Sequence, residues 1–177
     1  MKSIKIILSL FFIFCSIGAF AAEKLDNIII YGDSFMVSAE EPNGWKGDST
    51  NASLYHVNLV FYRNNENIQN AETVIRILIA NKSDENTIED LKYDMDSYRK
   101  QYPKVQFADV SVQHPEYKTY SKLFYVDNSF YEYVTYLNPG KNYRYIITVS
   151  MNLQKTKASK EDMQAYSSVI DSIRALR

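Results

Sequence analysis

From residue 28 onward the chain is a series of short apolar runs broken by turn residues, and the period of each run predicts its form. Ile28 to Tyr31 and Phe35 to Ala39 read as two short strands flanking Gly32-Asp33-Ser34. Leu54 to Arg63 alternates: Tyr55, Val57, Leu59 and Phe61 share one face, while His56, Asn58 and Tyr62 lie on the other with Val60, as in a half-buried strand. Thr73 to Ala80 is apolar on both faces through Val74, Ile75, Ile77, Leu78 and Ile79, which predicts a central strand covered by helices. The period then changes. Ile88, Leu91, Met95, Tyr98 and Tyr102 recur at helical spacing behind Thr87 and Asp90, a capping pair, and Pro103 ends the helix because the residue before a proline avoids helical geometry. Val105 to Val112, Tyr120 to Val126, Phe130 to Leu137 and Tyr143 to Leu153 are four more strands. The last two are joined through Asn138-Pro139-Gly140-Lys141, a type II turn signal for an antiparallel hairpin. Ser159, with Asp162 at the third helical position, opens a second helix striped by Met163, Tyr166, Val169, Ile170, Ile173 and Leu176. With no repeat, low-complexity tract or Pro/Gly linker, these elements predict a single α+β (α/β) sandwich: a mostly antiparallel sheet of six to seven strands with two main helices.

One run does not fit a folded core. Lys2 and Lys5 precede the apolar stretch Ile6 to Phe14, and Ala19-Phe20-Ala21 places small residues at the −3 and −1 positions, the pattern of a secretory signal peptide cut after Ala21. The expected division is therefore a leader over residues 1–21 and one domain over residues 22–177, exported to the periplasm or beyond. The only cysteine, Cys15, lies inside the leader, and Phe12-Ile13-Phe14 before it is no lipoprotein pattern. The mature domain thus carries no thiol, disulfide or cysteine-ligated metal. Losing Lys2 and Lys5 takes the 20 Lys and Arg to 18 against 21 Asp and Glu. The resulting net charge of about −3 is too mild and scattered for a nucleic-acid or anionic-membrane surface. No other stretch is long and apolar enough to anchor the mature chain in a bilayer. An unknown protein or small molecule remains as partner. Eleven of the fifteen tyrosines fall between Tyr93 and Tyr145, which suits half-buried strands and offers a stacking surface.

Candidate chemistry is thin. Asn27-Ile28-Ile29-Ile30-Tyr31-Gly32-Asp33-Ser34-Phe35 resembles the first block of the SGNH (GDSL-type) hydrolases, which implies Ser34 as nucleophile of a serine ester hydrolase. Such a serine needs a base and oxyanion donors. Neither His56 nor His114 has an aspartate three residues before it, and no Gly-x-Asn-Asp block occurs. His56 reads as a solvated residue on its strand's polar face, and His114, before Pro115, as an ordinary surface position. Asp94 and Asp96 point to different helix faces and cannot share a cation. Asp84-Glu85-Asn86 lacks the glycine and terminal glutamate of a calcium loop, and Glu40-Glu41 reads as a solvated loop. The sequence therefore assigns no catalytic, cofactor-binding or metal-ligating residue.

The order of elements is similar to that of the PsbP-like fold family of small exported proteins. Pro42-Asn43-Gly44-Trp45 matches its Pro-x-Gly-Trp. Val60-Phe61-Tyr62, the apolar strand Val74 to Ile79, the helix Ile88 to Tyr102, the hairpin at Pro139-Gly140 and the closing Val169-Ile170-Asp171-Ser172-Ile173-Arg174 follow in family order. This resemblance implies that Pro42 and Trp45 shape a loop and pack. It also implies an accessory, non-catalytic binding role. The metal and cofactor sites of photosynthetic members find no matching ligands here.

Overall fold

The computed structural model describes residues 27–82, 87–154 and 156–176. The leader, Cys15 and Asp84-Glu85-Asn86 lie outside the described residues. The chain runs β1 (Asn27–Gly32), β2 (Phe35–Glu40), β3 (Trp45–Asp48), α1 (Ser49–Ala52), β4 (Leu59–Arg63), β5 (Thr73–Asn81) and α2 (Ile88–Gln101). It continues through β6 (Gln106–Asp109), β7 (Lys118–Val126), β8 (Phe130–Asn138), β9 (Tyr145–Gln154), α3 (Lys160–Ser172) and β10 (Arg174–Leu176). Seven strands form one antiparallel sheet in the order β3-β4-β5-β9-β8-β7-β6, and β1-β2-β10 form a second.

Strand register decides which residues meet. Leu59 faces Ile77, Ile75 faces Met151, and Tyr133 faces both Met151 and Leu123, so odd-numbered side chains of β4, β5, β7, β8 and β9 share one face. That face carries the main core: Phe61, Ile75, Ile77, Leu137, Ile147, Val149 and Met151 pack under Tyr166, Val169, Ile170 and Ile173 of α3 and Val37 and Ala39 of the small sheet. The even-numbered face is divided. Val60, Tyr62 and Val74 pack with Ala52 and Ile68 at one end, and Phe124, Val134, Tyr136 and Ile146 pack beneath Leu91 of α2 at the other.

Several elements differ from the sequence pattern, each for a local reason. Leu54 to Asn58 is not strand. Asp48 caps a four-residue helix by accepting Asn51 N–H at 2.8 Å, a 3-10 turn follows over Ser53–Tyr55, and His56 takes a left-handed φ of 55° before β4 begins at Leu59. The strand expected over Val105 to Val112 stops at Asp109. The Val112 carbonyl instead accepts the Thr119 hydroxyl at 3.0 Å, a side-chain bond replacing the ladder. Thr87 stands at the N-cap of α2 without a side-chain cap; its buried hydroxyl accepts Asn138 Nδ2 at 2.8 Å. Ser159 and Asp162, by contrast, form the full reciprocal capping box. Helix α3 ends at Ser172 rather than reaching Leu176, because Ala175 pairs with Val37 at the free edge of β2. Strand β5 is central, as its pattern requires, yet its even face is only half covered: Leu78 stays 38% exposed.

Candidate functional site

Ser34 sits exposed on the β1–β2 turn, and a Cβ added at Gly32 would lie 2.5 Å from the Phe35 ring and force it to shift. The turn borders an open cavity of about 520 Å³ with Met36, Tyr143, Arg144 and Tyr145, and no histidine lines it. His56 is exposed on its turn. Glu41 is not simply solvated, since its Oε1 accepts Gly47 N–H at 2.7 Å. Asp96 pairs with Arg99 on the outer side of α2, while Asp94 reaches inward to Tyr136, so the two aspartates do face apart. Among the described residues, no three His, Cys, Asp or Glu side chains gather where they could hold a metal ion.

His114 is no surface residue. It is buried and stacked on Tyr117 at 4.2 Å. Its Nδ1 accepts the Glu116 and Tyr117 N–H groups at 3.0 and 2.9 Å, so the ring hydrogen is on Nε2 and donates to the Ile173 carbonyl at 3.0 Å. Arg174, 3.2 Å from Nε2, donates to the Asp171 and Ile173 carbonyls. The Tyr117 hydroxyl accepts Ala175 N–H at 2.8 Å. Together these bonds fasten the switch from α3 to β10, and the ring works as a neutral clamp.

Burial pushes the His114 pKa below its ordinary 6.5, with the Arg174 guanidinium adding to the depression while the Ile173 carbonyl and the Glu116 and Asp171 carboxylates oppose it. Between the folded and unfolded values the unfolded chain binds a proton that the folded chain refuses, so this contribution is complete above about pH 6.5 and is lost on acidification. The wild-type melting temperature is therefore expected to fall below that pH. The deficit of His114→Ala, read by circular dichroism, should be larger at neutral pH than in acid; a pH-independent deficit would refute the neutral clamp.

The groups that sequence reasoning missed lie on the half-covered even face of the main sheet. Strands β5 and β9 leave Arg76, Leu78, Thr148 and Ser150 as the floor of a cavity of about 200 Å³, bounded by Asp94 and Tyr98 of α2, Glu132 and Val134 of β8, Phe124 and Val57. The Tyr98 hydroxyl donates to Glu132 Oε2, and the Tyr136 hydroxyl donates to Asp94 Oδ2. Burial, reinforced by the neighbouring carboxylates, holds both hydroxyls protonated far above the ordinary 10. Burial also lifts Asp94 above its usual 3.8, opposed by the Tyr136 bond and aided by Asp90. The tyrosines are thus fixed donors that orient the two carboxylates. The one sequence signal was Glu132, a lone acid inside the tyrosine-rich run Phe130 to Leu137; it is 8% exposed.

The fold matches solved structures. LpqN of Mycobacterium tuberculosis, a protein involved in cell envelope biogenesis, aligns with a TM-score of 0.60 at 9% identity over 85% of this chain and 91% of its own. The cyanobacterial PsbP (CyanoP) of Synechocystis aligns with a TM-score of 0.53 at 13% identity over 88% of this chain and 96% of its own. The chain has the PsbP-like fold. No family model and no curated protein matches the sequence. Within this PsbP-like domain Pro42 and Trp45 do shape a loop and pack: Trp45 N–H donates to the Pro42 carbonyl at 2.9 Å across Gly44 at φ 82°, and the indole is buried in the main core. Among the described residues, no helix is long and apolar enough to cross a membrane.

Proposed function

We propose that this protein is an exported, single-domain accessory protein of the cell envelope or the extracellular medium, which binds a small ligand or partner without turning it over. The observation that carries this reading is the cavity beneath α2. There Arg76, Asp94 and Glu132 face open space, the two carboxylates oriented by tyrosine hydroxyls. The leader pattern of residues 1–21 supports export, as does a fold shared with a protein involved in cell envelope biogenesis. The alternative, a GDSL-type hydrolase on Ser34, lacks its base: both nitrogens of His114 are engaged elsewhere, and His56 does not line the Ser34 cavity.

Export is tested by expressing the full chain with a C-terminal tag in bacteria and fractionating the cells. The mature product should begin at Ala22 and appear outside the cytoplasm, and deleting Ile6 to Phe14 should abolish its transfer. An uncleaved cytoplasmic product would defeat the reading. The non-catalytic half predicts equal nitrophenyl-ester hydrolysis by wild type and Ser34→Ala, and a Ser34-dependent rate would replace it with the hydrolase.

A further inference from the structure

The cavity beneath α2 carries both signs of charge without letting them meet. Arg76 lines it with Asp94 and Glu132, yet among the described residues no Arg76 nitrogen lies within 4.0 Å of a carboxylate oxygen. Its guanidinium carbon stands 5.7 Å from the centroid of the Tyr55 ring, and its Nε is buried with no hydrogen-bond partner. Among the described residues none of the other guanidinium nitrogens makes a hydrogen bond or ion pair either, so the guanidinium is left to take an anionic partner through its terminal nitrogens. The carboxylates on the facing wall are also incompletely used. Each accepts one tyrosine hydroxyl, against an acceptor capacity of roughly four lone-pair positions.

We propose that this cavity binds a zwitterionic small molecule of the amino-acid class. Its carboxylate lies on Arg76 with the Thr148 and Ser150 hydroxyls, and its ammonium lies against Glu132 and Asp94. This identification rests on the cavity being the ligand site. Three features select the class. A bare anion would satisfy Arg76 but face two carboxylates, and a bare amine would leave the guanidinium unpaired, whereas a dipolar ligand answers both walls. The volume of about 200 Å³ is below the ~300–1,000 Å³ of drug-sized sites and suits a single residue-sized molecule. Leu78, Val57 and Phe124 supply an apolar wall for a side chain.

The probes are L-leucine, its decarboxylated analogue isoamylamine and its deaminated analogue isocaproate, titrated into the mature protein and read by proton–nitrogen correlation spectra. A panel of the other standard L-amino acids follows. Leucine or another amino acid should shift the amides of Arg76, Leu78 and Ser150, with each single-charge analogue binding about tenfold more weakly or worse. Arg76→Gln and Glu132→Gln should each weaken amino-acid binding by a similar factor with unchanged circular dichroism; the analogue series decides the matter even if a variant fails to fold. If isoamylamine or isocaproate binds in the cavity as tightly as any amino acid, the zwitterion assignment falls while the cavity remains the site. If no amino acid perturbs these amides, the proposal falls, and shifts clustered elsewhere remove the cavity itself as the ligand site.

Discussion

Replacing Tyr166 with alanine should destabilise the domain by about 3–5 kcal/mol, the range for truncating a buried aromatic. Tyr166 is fully buried in the α3–sheet interface and tilted against Tyr133 at 6.4 Å, so truncating it opens a cavity in close-packed surroundings. Its hydroxyl donates to the Val149 carbonyl at 2.9 Å and lies 2.9 Å from Thr135 Oγ1, from which its oxygen accepts. Thr135 keeps a second partner in Ser121 at 2.9 Å, so removing the hydroxyl alone leaves no orphaned side chain there. Tyr166→Phe should therefore cost only about 1 kcal/mol. In urea, with a slope of ~2 kcal/mol per molar, the alanine variant should shift the midpoint by roughly 2 M and the phenylalanine variant by a quarter of that. A phenylalanine variant as damaged as the alanine one would mean that the polar network, not the packing, holds α3 down. Total stabilities of ~5–15 kcal/mol make the alanine change close to the most the fold can tolerate.

What was legible in the sequence is what local pattern determines. The stripe of α3 and its Ser159–Asp162 start were readable because capping and a 3.6-residue period act within one turn of chain. The β8–β9 hairpin was readable because its turn residues, with Gly140 at φ 108°, sit between two alternating runs. His114 was misread because its environment comes from Ile173, 59 residues away, and no local pattern announces that contact. Strand β10 was misread because Ile173 and Leu176 fit the helical stripe; the free edge of β2, which captures the segment, is a property of the assembled sheet. The candidate site was hidden for the same reason. Arg76 faces Ser150 only through the β5–β9 register, and Asp94 meets Tyr136 only once α2 lies across β8.

The two long helices, α2 and α3, do different work, and their burial says so. Asp162, Ala165, Tyr166, Val169 and Ile170 of α3 are buried, whereas α2 buries Leu91 alone and relies on two tyrosine–carboxylate bonds to the sheet. The wall of the proposed ligand site is thus the more lightly packed layer of the sandwich. Binding elements are drawn from such layers, because opening them breaks little of the main core.

The second large effect is expected at Asp162, where three hydrogen bonds converge on one carboxylate. Oδ2 accepts Ser159 N–H at 3.1 Å and the Ser159 hydroxyl at 2.7 Å, closing the capping box. Oδ1 accepts Arg63 at 2.6 Å, and the Arg63 guanidinium carbon stands 5.2 Å from the centroid of the Trp45 ring. Losing the two bonds from Ser159 costs up to about 1 kcal/mol, while the Ser159 hydroxyl still caps the helix through the backbone N–H of residue 162. Breaking a buried ion pair costs ~3–5 kcal/mol, but Arg63 is 36% exposed and regains water, so about 1–2 kcal/mol is expected from the pair. Asp162→Ala should thus cost about 2–3 kcal/mol in urea unfolding, and Asp162→Asn less, because it keeps an acceptor for Ser159. Ser159→Ala should cost about a further 1 kcal/mol on the Asp162→Ala background, because the Ser159 hydroxyl there still accepts the backbone N–H of residue 162 at 3.0 Å. A double-mutant cycle with Arg63→Gln should give a coupling of about 1 kcal/mol, and coupling below the ~0.3–0.5 kcal/mol scatter of independent sites would show that the bridge contributes nothing. With Trp45 buried in the core beneath it, that bridge ties the Pro42-Asn43-Gly44-Trp45 loop to the start of α3 across 99 residues. A measurable coupling would make this loop part of the helix's anchorage rather than a surface ornament.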